Sequence, residues 1–127
     1  MKMMLAVAAG GAMGAVCRYL VMNGAGHFMG HGFPYGTLIV NIVGSFIMGL
    51  VIEYSALNWS PSPEIRAFIV IGVLGAFTTF STFSLDFVTL YKSQAYLPLM
   101  LYTMGSIMLS IAALFSGLWV VKMVVGT

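Results

Sequence analysis

Gly75-Ala76-Phe77-Thr78-Thr79-Phe80-Ser81-Thr82-Phe83-Ser84 puts glycine and five hydroxyls inside a stretch that is otherwise apolar enough to cross a membrane. Hydrocarbon offers no partner to a stray backbone N–H or C=O. Such a run therefore survives at membrane depth only where protein or a water-filled path surrounds it, so it points to a permeation or ion-binding site.

The rest of the chain sets that depth. Of 127 residues, 61% are hydrophobic and 6% charged, and the mean hydropathy is +1.04, outside the range of a soluble domain. At about 20 apolar residues per span, the length allows roughly four transmembrane helices and no water-facing domain. Four blocks separate, at about 3–22, 36–57, 64–91 and 97–125. They make one transmembrane domain over residues 1–127. The opening Met-Lys and apolar run resemble a signal peptide, but Gly10, Gly14 and Arg18 suit a packed helix that is retained.

Gly24, Gly26, Gly30, Gly32 and Pro34 mark 23–35 as a loop. Its His27 and His31 have no nearby carboxylate or thiol to complete a metal site, so they read as solvated loop residues. Ser62, Pro63 and Glu64 are helix-start signals for the third span. The connection 92–96 is short, so the third and fourth spans are expected to be antiparallel neighbours. Trp59, Tyr91, Tyr96 and Trp119 fall near span ends, as interfacial aromatics do.

Charge is sparse. The net value is +2, and the five Lys and Arg stand singly, so no basic stripe could track nucleic acid. With four spans, Lys2, Arg66 and Lys122 lie on one side and Arg18 and Lys92 on the other. Orientation follows Lys and Arg asymmetry, so this near-balance predicts insertion both ways and an antiparallel pair with its two-fold axis in the membrane plane. Cys17 stands alone and cannot form a disulfide within the chain.

Gly72 and Gly75 precede the hydroxyl run in a block longer than one straight span requires, which predicts a helix broken near the bilayer middle. Freed carbonyls in discontinuous helices hold small cations such as sodium. Close packing of glycines is the alternative. Phe77, Phe80, Phe83 and Phe87 alternate with Thr79, Ser81, Thr82 and Ser84, so electropositive phenyl edges and hydroxyls can line one path for a small anion.

On the second span Thr37, Asn41, Gly44 and Met48 share a face, and Asn41 can bond a neighbouring helix or donate to an anion. Ser106, Ser110, Ala113 and Gly117 form a small face on the fourth span, with Tyr102 one turn earlier. Arg18 is the one charge within the first apolar block; it either serves function or snorkels to a headgroup. Glu53 and Asp86 lie toward span ends, leaving no carboxylate at mid-helix for proton coupling. No catalytic constellation emerges, so the chain does not read as an enzyme.

Gly10-Gly11-x-x-Gly14-Ala15-x-x-Arg18-Tyr19, Gly36-Thr37-Leu38-x-x-Asn41-x-x-Gly44-Ser45-Phe46 and Gly75-x-Phe77-Thr78-Thr79-Phe80-Ser81-Thr82-Phe83 together resemble the Fluc (CrcB-type) fluoride channel family of bacteria. The resemblance spans essentially the whole chain. It implies an all-α protein of the bacterial inner membrane, assembled as an antiparallel, dual-topology homodimer that passively exports fluoride and needs no organic cofactor. It further implies that the carbonyls of Gly75 and Thr78 hold one structural sodium at the dimer interface. Phe80 and Phe83 resemble the family's paired pore phenylalanines and Asn41 its fluoride-donating amide. Ser81, Thr82, Ser84, Ser110, Tyr102, Thr37 and Thr79 are similar to the polar lining, and Arg18 to a vestibule arginine. The competing readings are a small dual-topology multidrug transporter, which would need a membrane-embedded glutamate absent from the first span, and a non-conducting assembly subunit.

Overall fold

The computed structural model describes residues 1–125, and these form four long apolar helical stretches able to cross a membrane. Helix α1 is Lys2–Met29 and α2 is Tyr35–Leu57. The third stretch, Pro63–Lys92, consists of α3 (residues 63–77) and α4 (Phe80–Lys92). Helix α5 is Tyr96–Val125. At about 1.5 Å per residue each stretch exceeds a hydrocarbon core of roughly 30 Å, so the ends reach the headgroups or the helices tilt.

Helix starts follow local chemistry. Ser62 Oγ accepts the Ile65 N–H at 3.3 Å, with Pro63 in the first turn, as the sequence predicts. The loop expected over 23–35 is shorter than read. Helix α1 runs through Gly24 and Gly26 to Met29 and ends at Gly30, whose φ of 80° is cheap for glycine and whose N–H donates to Gly26 O at 3.1 Å. Tertiary packing overrides the weak helix propensity of the two glycines. Ala25 is buried, and the His31 ring lies against the bare Cα of Gly26.

Two glycine seams hold the bundle. Gly10 and Gly14 press α1 onto α3, where an added Cβ would strike the carbonyl oxygens of Phe68 and Val73. Gly49 and Gly117 do the same for α2 and α5, against Leu114 O and Phe46 O. Small residues let backbones approach closely, and in lipid such packing replaces the hydrophobic drive between helices. The fourth span therefore packs chiefly on α2, and its expected neighbour, the third span, touches it through α4 alone. Residues Ala67–Leu74 of α3 form a π-helical segment in which the Gly75 N–H reaches Val70 O. Its wider turn lies along the glycine face of α1.

Little of this surface is buried within one chain. Phe80 is 78% exposed and Leu5, Met13, Tyr19, Met104, Phe115 and Trp119 are more than half exposed, whereas Tyr102 and Val40 are fully enclosed. A soluble fold would not leave so much apolar surface open.

Candidate functional site

Between α3 and α4 the backbone of Thr78 (φ −86°, ψ 158°) and Thr79 (φ −153°, ψ 123°) is extended. Both faces of this link are held by α2. Asn41 Nδ2 donates to Thr79 O at 3.1 Å, and Thr79 N–H donates to Asn41 Oδ1 at 2.8 Å. One amide thus pairs with both backbone groups of the residue at the interruption, and it is the partner of the Thr79 N–H, which no helix serves. Three positions on, an added Cβ at Gly44 would collide with Thr78 Cγ2 and stand 3.2 Å from the Phe77 ring. The shared face of Asn41 and Gly44 read from their spacing is the face that receives the link.

Side chains also restart the helix. Thr79 Oγ1 accepts Thr82 N–H at 3.2 Å as the N-cap of α4, and Thr78 Oγ1 donates to Leu74 O at 3.0 Å. Thr79 N–H and Thr82 N–H are the donors that a continuous helix would give to the carbonyls of Gly75 and Thr78. They go instead to Asn41 Oδ1 and Thr79 Oγ1. Neutral carbonyl oxygens released in this way suit a hard cation. Among the described residues no group of three or more His, Cys, Asp or Glu could hold a metal ion.

Beside the link lies a cavity of about 350 Å³ lined by Asn41, Ser45, Thr79, Phe80, Phe83, Ser106 and Ser110, with Thr78, Ile107 and Ile111. Asn41 Nδ2 carries two hydrogens, and Thr79 O takes one, so a second remains for a guest. The hydroxyls of Ser106 and Ser110 are buried and have no partner among the described residues. The rings of Phe80 and Phe83 stand 5.6 Å apart, and Phe83 continues to Tyr102 at 5.2 Å and Tyr102 to Phe33 at 5.6 Å. No carboxylate lines the cavity. It offers donors and ring edges to a small anion and nothing to exchange a proton.

Of the residues singled out in the sequence, the cavity gathers Asn41, Thr78, Thr79, Phe80, Phe83 and Ser110. Ser81 and Ser84 are exposed on the first turns of α4, where Ser84 Oγ donates to Phe80 O, and the Thr82 hydroxyl accepts from Thr79 Oγ1. Thr37 and Tyr102 lie elsewhere, buried, and both donate to Asp86 Oδ2, at 2.7 and 2.9 Å. Gly75 lies in α3 one turn before the link. Arg18 lines a separate cavity with His27 and His31.

Two participants lie outside the expected pathway residues. Asp86 reads as a span-end acid, yet two buried hydroxyls on different helices converge on it. Ser106 shares a small, partly polar face with Ser110, one turn from both Tyr102 and Ser110, but the resemblance carries only Ser110 into the path. Removing one donor tests the triad: Tyr102→Phe leaves Asp86 with Thr37 alone and should lower stability by about 1–2 kcal/mol. A thermal midpoint several degrees lower in detergent would register it, and an unchanged midpoint would show the bond to be dispensable.

The model of a family described as CrcB-like protein, Camphor Resistance (CrcB), matches residues 5–118. A protein of Rhodospirillum centenum named fluoride-specific ion channel FluC is 49% identical over 122 residues, covering 96% of this chain and 97% of that one. The protein of the same name in Caulobacter vibrioides is 48% identical with 98% of each chain covered, and that of Agrobacterium fabrum 52% identical with 88% and 90% covered. With a family match over most of its length, relatives near half identity and four apolar helices carrying the matched segments, the chain belongs to the CrcB family.

Proposed function

We propose that this protein is a fluoride-selective channel, a multi-pass protein of the bacterial inner membrane that lets fluoride leave the cytoplasm passively. The observation that carries the reading is the cavity in which the spare Asn41 N–H, the unpartnered hydroxyls of Ser106 and Ser110 and the Phe80–Phe83 pair converge without a carboxylate. Fluoride is small and strongly hydrated, so a path must replace its water with donors and positive edges, as carbonyl rings do for potassium. Near-full-length similarity to proteins named fluoride-specific ion channels supports the same anion.

The working unit in this reading is an antiparallel dual-topology homodimer. Phe80 is 78% exposed, so the path of one chain is open on the side where α4 begins, and a second copy would close it. The near-balance of Lys and Arg between the two sides is compatible with either insertion. The two-residue link is read as a functional break of the third span, and the diverted donors leave the Gly75 and Thr78 carbonyls to serve a structural sodium between two copies. A bound cation there would offset the cost of an anion in low dielectric. Ser81, Thr82 and Ser84 then line the path beyond Phe80, while Thr37 and Tyr102 shape it through Asp86.

Fluoride efflux from liposomes holding the purified protein, driven by a potassium ionophore and read by a fluoride electrode beside parallel chloride efflux, tests the reading. Rapid fluoride release with little chloride release is expected, independent of any proton gradient. No release from folded protein would overturn the assignment, and release that requires a proton gradient would favour an exchanger. Replacing sodium with a bulky organic cation during purification should shift the protein toward monomer if sodium bridges the two copies.

A further inference from the structure

A cavity of about 570 Å³ lies along the second half of α1, lined by Arg18, Asn23, His27 and His31 with Tyr19, and it contains no carboxylate. Arg18 Nε is buried there without an acceptor among the described residues. His31 also borders a second cavity of about 200 Å³, which holds Asp86 and Thr37. It can stand between the two because Gly26 has no side chain: an added Cβ would lie 2.6 Å from His31 Cε1. Asp86 accepts from Tyr102, whose buried ring packs 5.2 Å from Phe83 of the cavity beside the link.

We infer that the Arg18 cavity is an anion antechamber whose pull on fluoride is set by protons on His27 and His31, an inference that rests on the channel reading. Histidine changes charge across near-neutral pH. Protonating both rings takes the cationic lining from one positive charge, on Arg18, to three. A cleft lined by one sign of charge with low-dielectric walls concentrates the opposite ion. The other ionisable groups facing these rings are Tyr19 of α1, Tyr35 of α2 and Asp86 of α4, the last hydrogen-bonded by Tyr102 of α5. Only Asp86 opposes an anion, and a protonated His31 beside its cavity offsets that charge. Acidification therefore strengthens attraction in the antechamber and weakens repulsion at the next step, both favouring fluoride.

Fluoride efflux at subsaturating fluoride, with the same buffer on both sides of the liposome, is compared at about pH 7.5 and 5.5, a window that spans histidine titration. Protein-free liposomes subtract leakage of hydrogen fluoride. Efflux through the wild type should rise about threefold or more on acidification, and the rise should shrink in high salt, as screened attraction does. The His27→Gln/His31→Gln double variant should be indifferent to pH. His31→Lys, which fixes one charge, should pass more fluoride than wild type at the higher pH and respond less to acid, and it serves as the test where the double variant does not fold. A wild type that ignores pH, or variants that keep its full response, would overturn the inference while leaving the channel reading intact. Folded wild type without fluoride efflux at either pH would overturn both.

Discussion

Asn41→Leu is expected to abolish fluoride efflux and also to destabilise the protein, and the two losses can be separated. Leucine removes the acceptor of Thr79 N–H and the donor to Thr79 O together. Thr79 N–H is then left without a partner, at about 1–3 kcal/mol, while Thr79 O keeps the first intrahelical bond of α4 and loses only its second donor. The link between α3 and α4 should then slip or re-form as helix. Asn41→Asp is the discriminating variant, since its carboxylate still accepts from Thr79 N–H but cannot donate, and it sets a negative charge on the anion path. It should fold better than Asn41→Leu and still pass at least about 100-fold less fluoride, the order expected when a buried pore donor becomes a like charge. Size-exclusion profiles and thermal midpoints beside liposome efflux would resolve the pair. Near-wild-type efflux through either variant would remove Asn41 from the path.

Gly10→Val should prevent stable folding, whereas Gly11→Val on the same helix should be nearly silent. A side chain at Gly10 would meet Phe68 O and stand 3.0 Å from Gly72 Cα, backbone atoms that cannot swing aside. Overpacking against backbone costs about 3 kcal/mol or more, and here it would pry α1 from the π-helical segment that precedes the link. Nothing lies within 4 Å of a Cβ added at Gly11, so valine there should change stability by less than about 0.5 kcal/mol. The fraction of monodisperse protein recovered in mild detergent reads both. Equal recovery of the two variants would mean that α1 can move away from α3 at little cost, against the close seam described here.

Much of the architecture was legible because membranes simplify folding. Four long apolar blocks must be helices when lipid offers the backbone no partners, and each interval between them carries a signal for its limits, as Ser62 and Pro63 do for the third span. The end of α1 was misread for a specific reason. Gly24 and Gly26 are poor helix formers, but the stop is set by Gly30, the glycine whose backbone is left-handed, while Gly26 is bare so that the His31 ring can lie on it. Sequence alone could not tell a glycine that ends a helix from one that admits a neighbour. The pairing of the last span was legible in part: the short connection does leave α4 beside α5, where Tyr102 meets Asp86 and Phe83, but Gly49 and Gly117 bring α5 closest to α2.

The sequence by itself determined the membrane class, the number of spans and the family through its three ordered motifs, and it singled out Asn41, Phe80, Phe83 and Ser110 as candidates for an anion path. These follow from composition and from side-chain chemistry, which are local properties. Only the tertiary structure decided how each one is engaged. It made Asn41 the partner of Thr79, drew Thr37 and Tyr102 to Asp86, left Ser106 without a partner among the described residues, and set His31 between two cavities. The physical reason is that a hydrogen bond depends on distance and direction between groups far apart in the chain. Asn41 and Thr79 are 38 residues apart, and Thr37 and Asp86 are 49 apart. Spacing along one helix predicts which face a residue shares, but what that face meets is settled when the glycine seams bring the helices together.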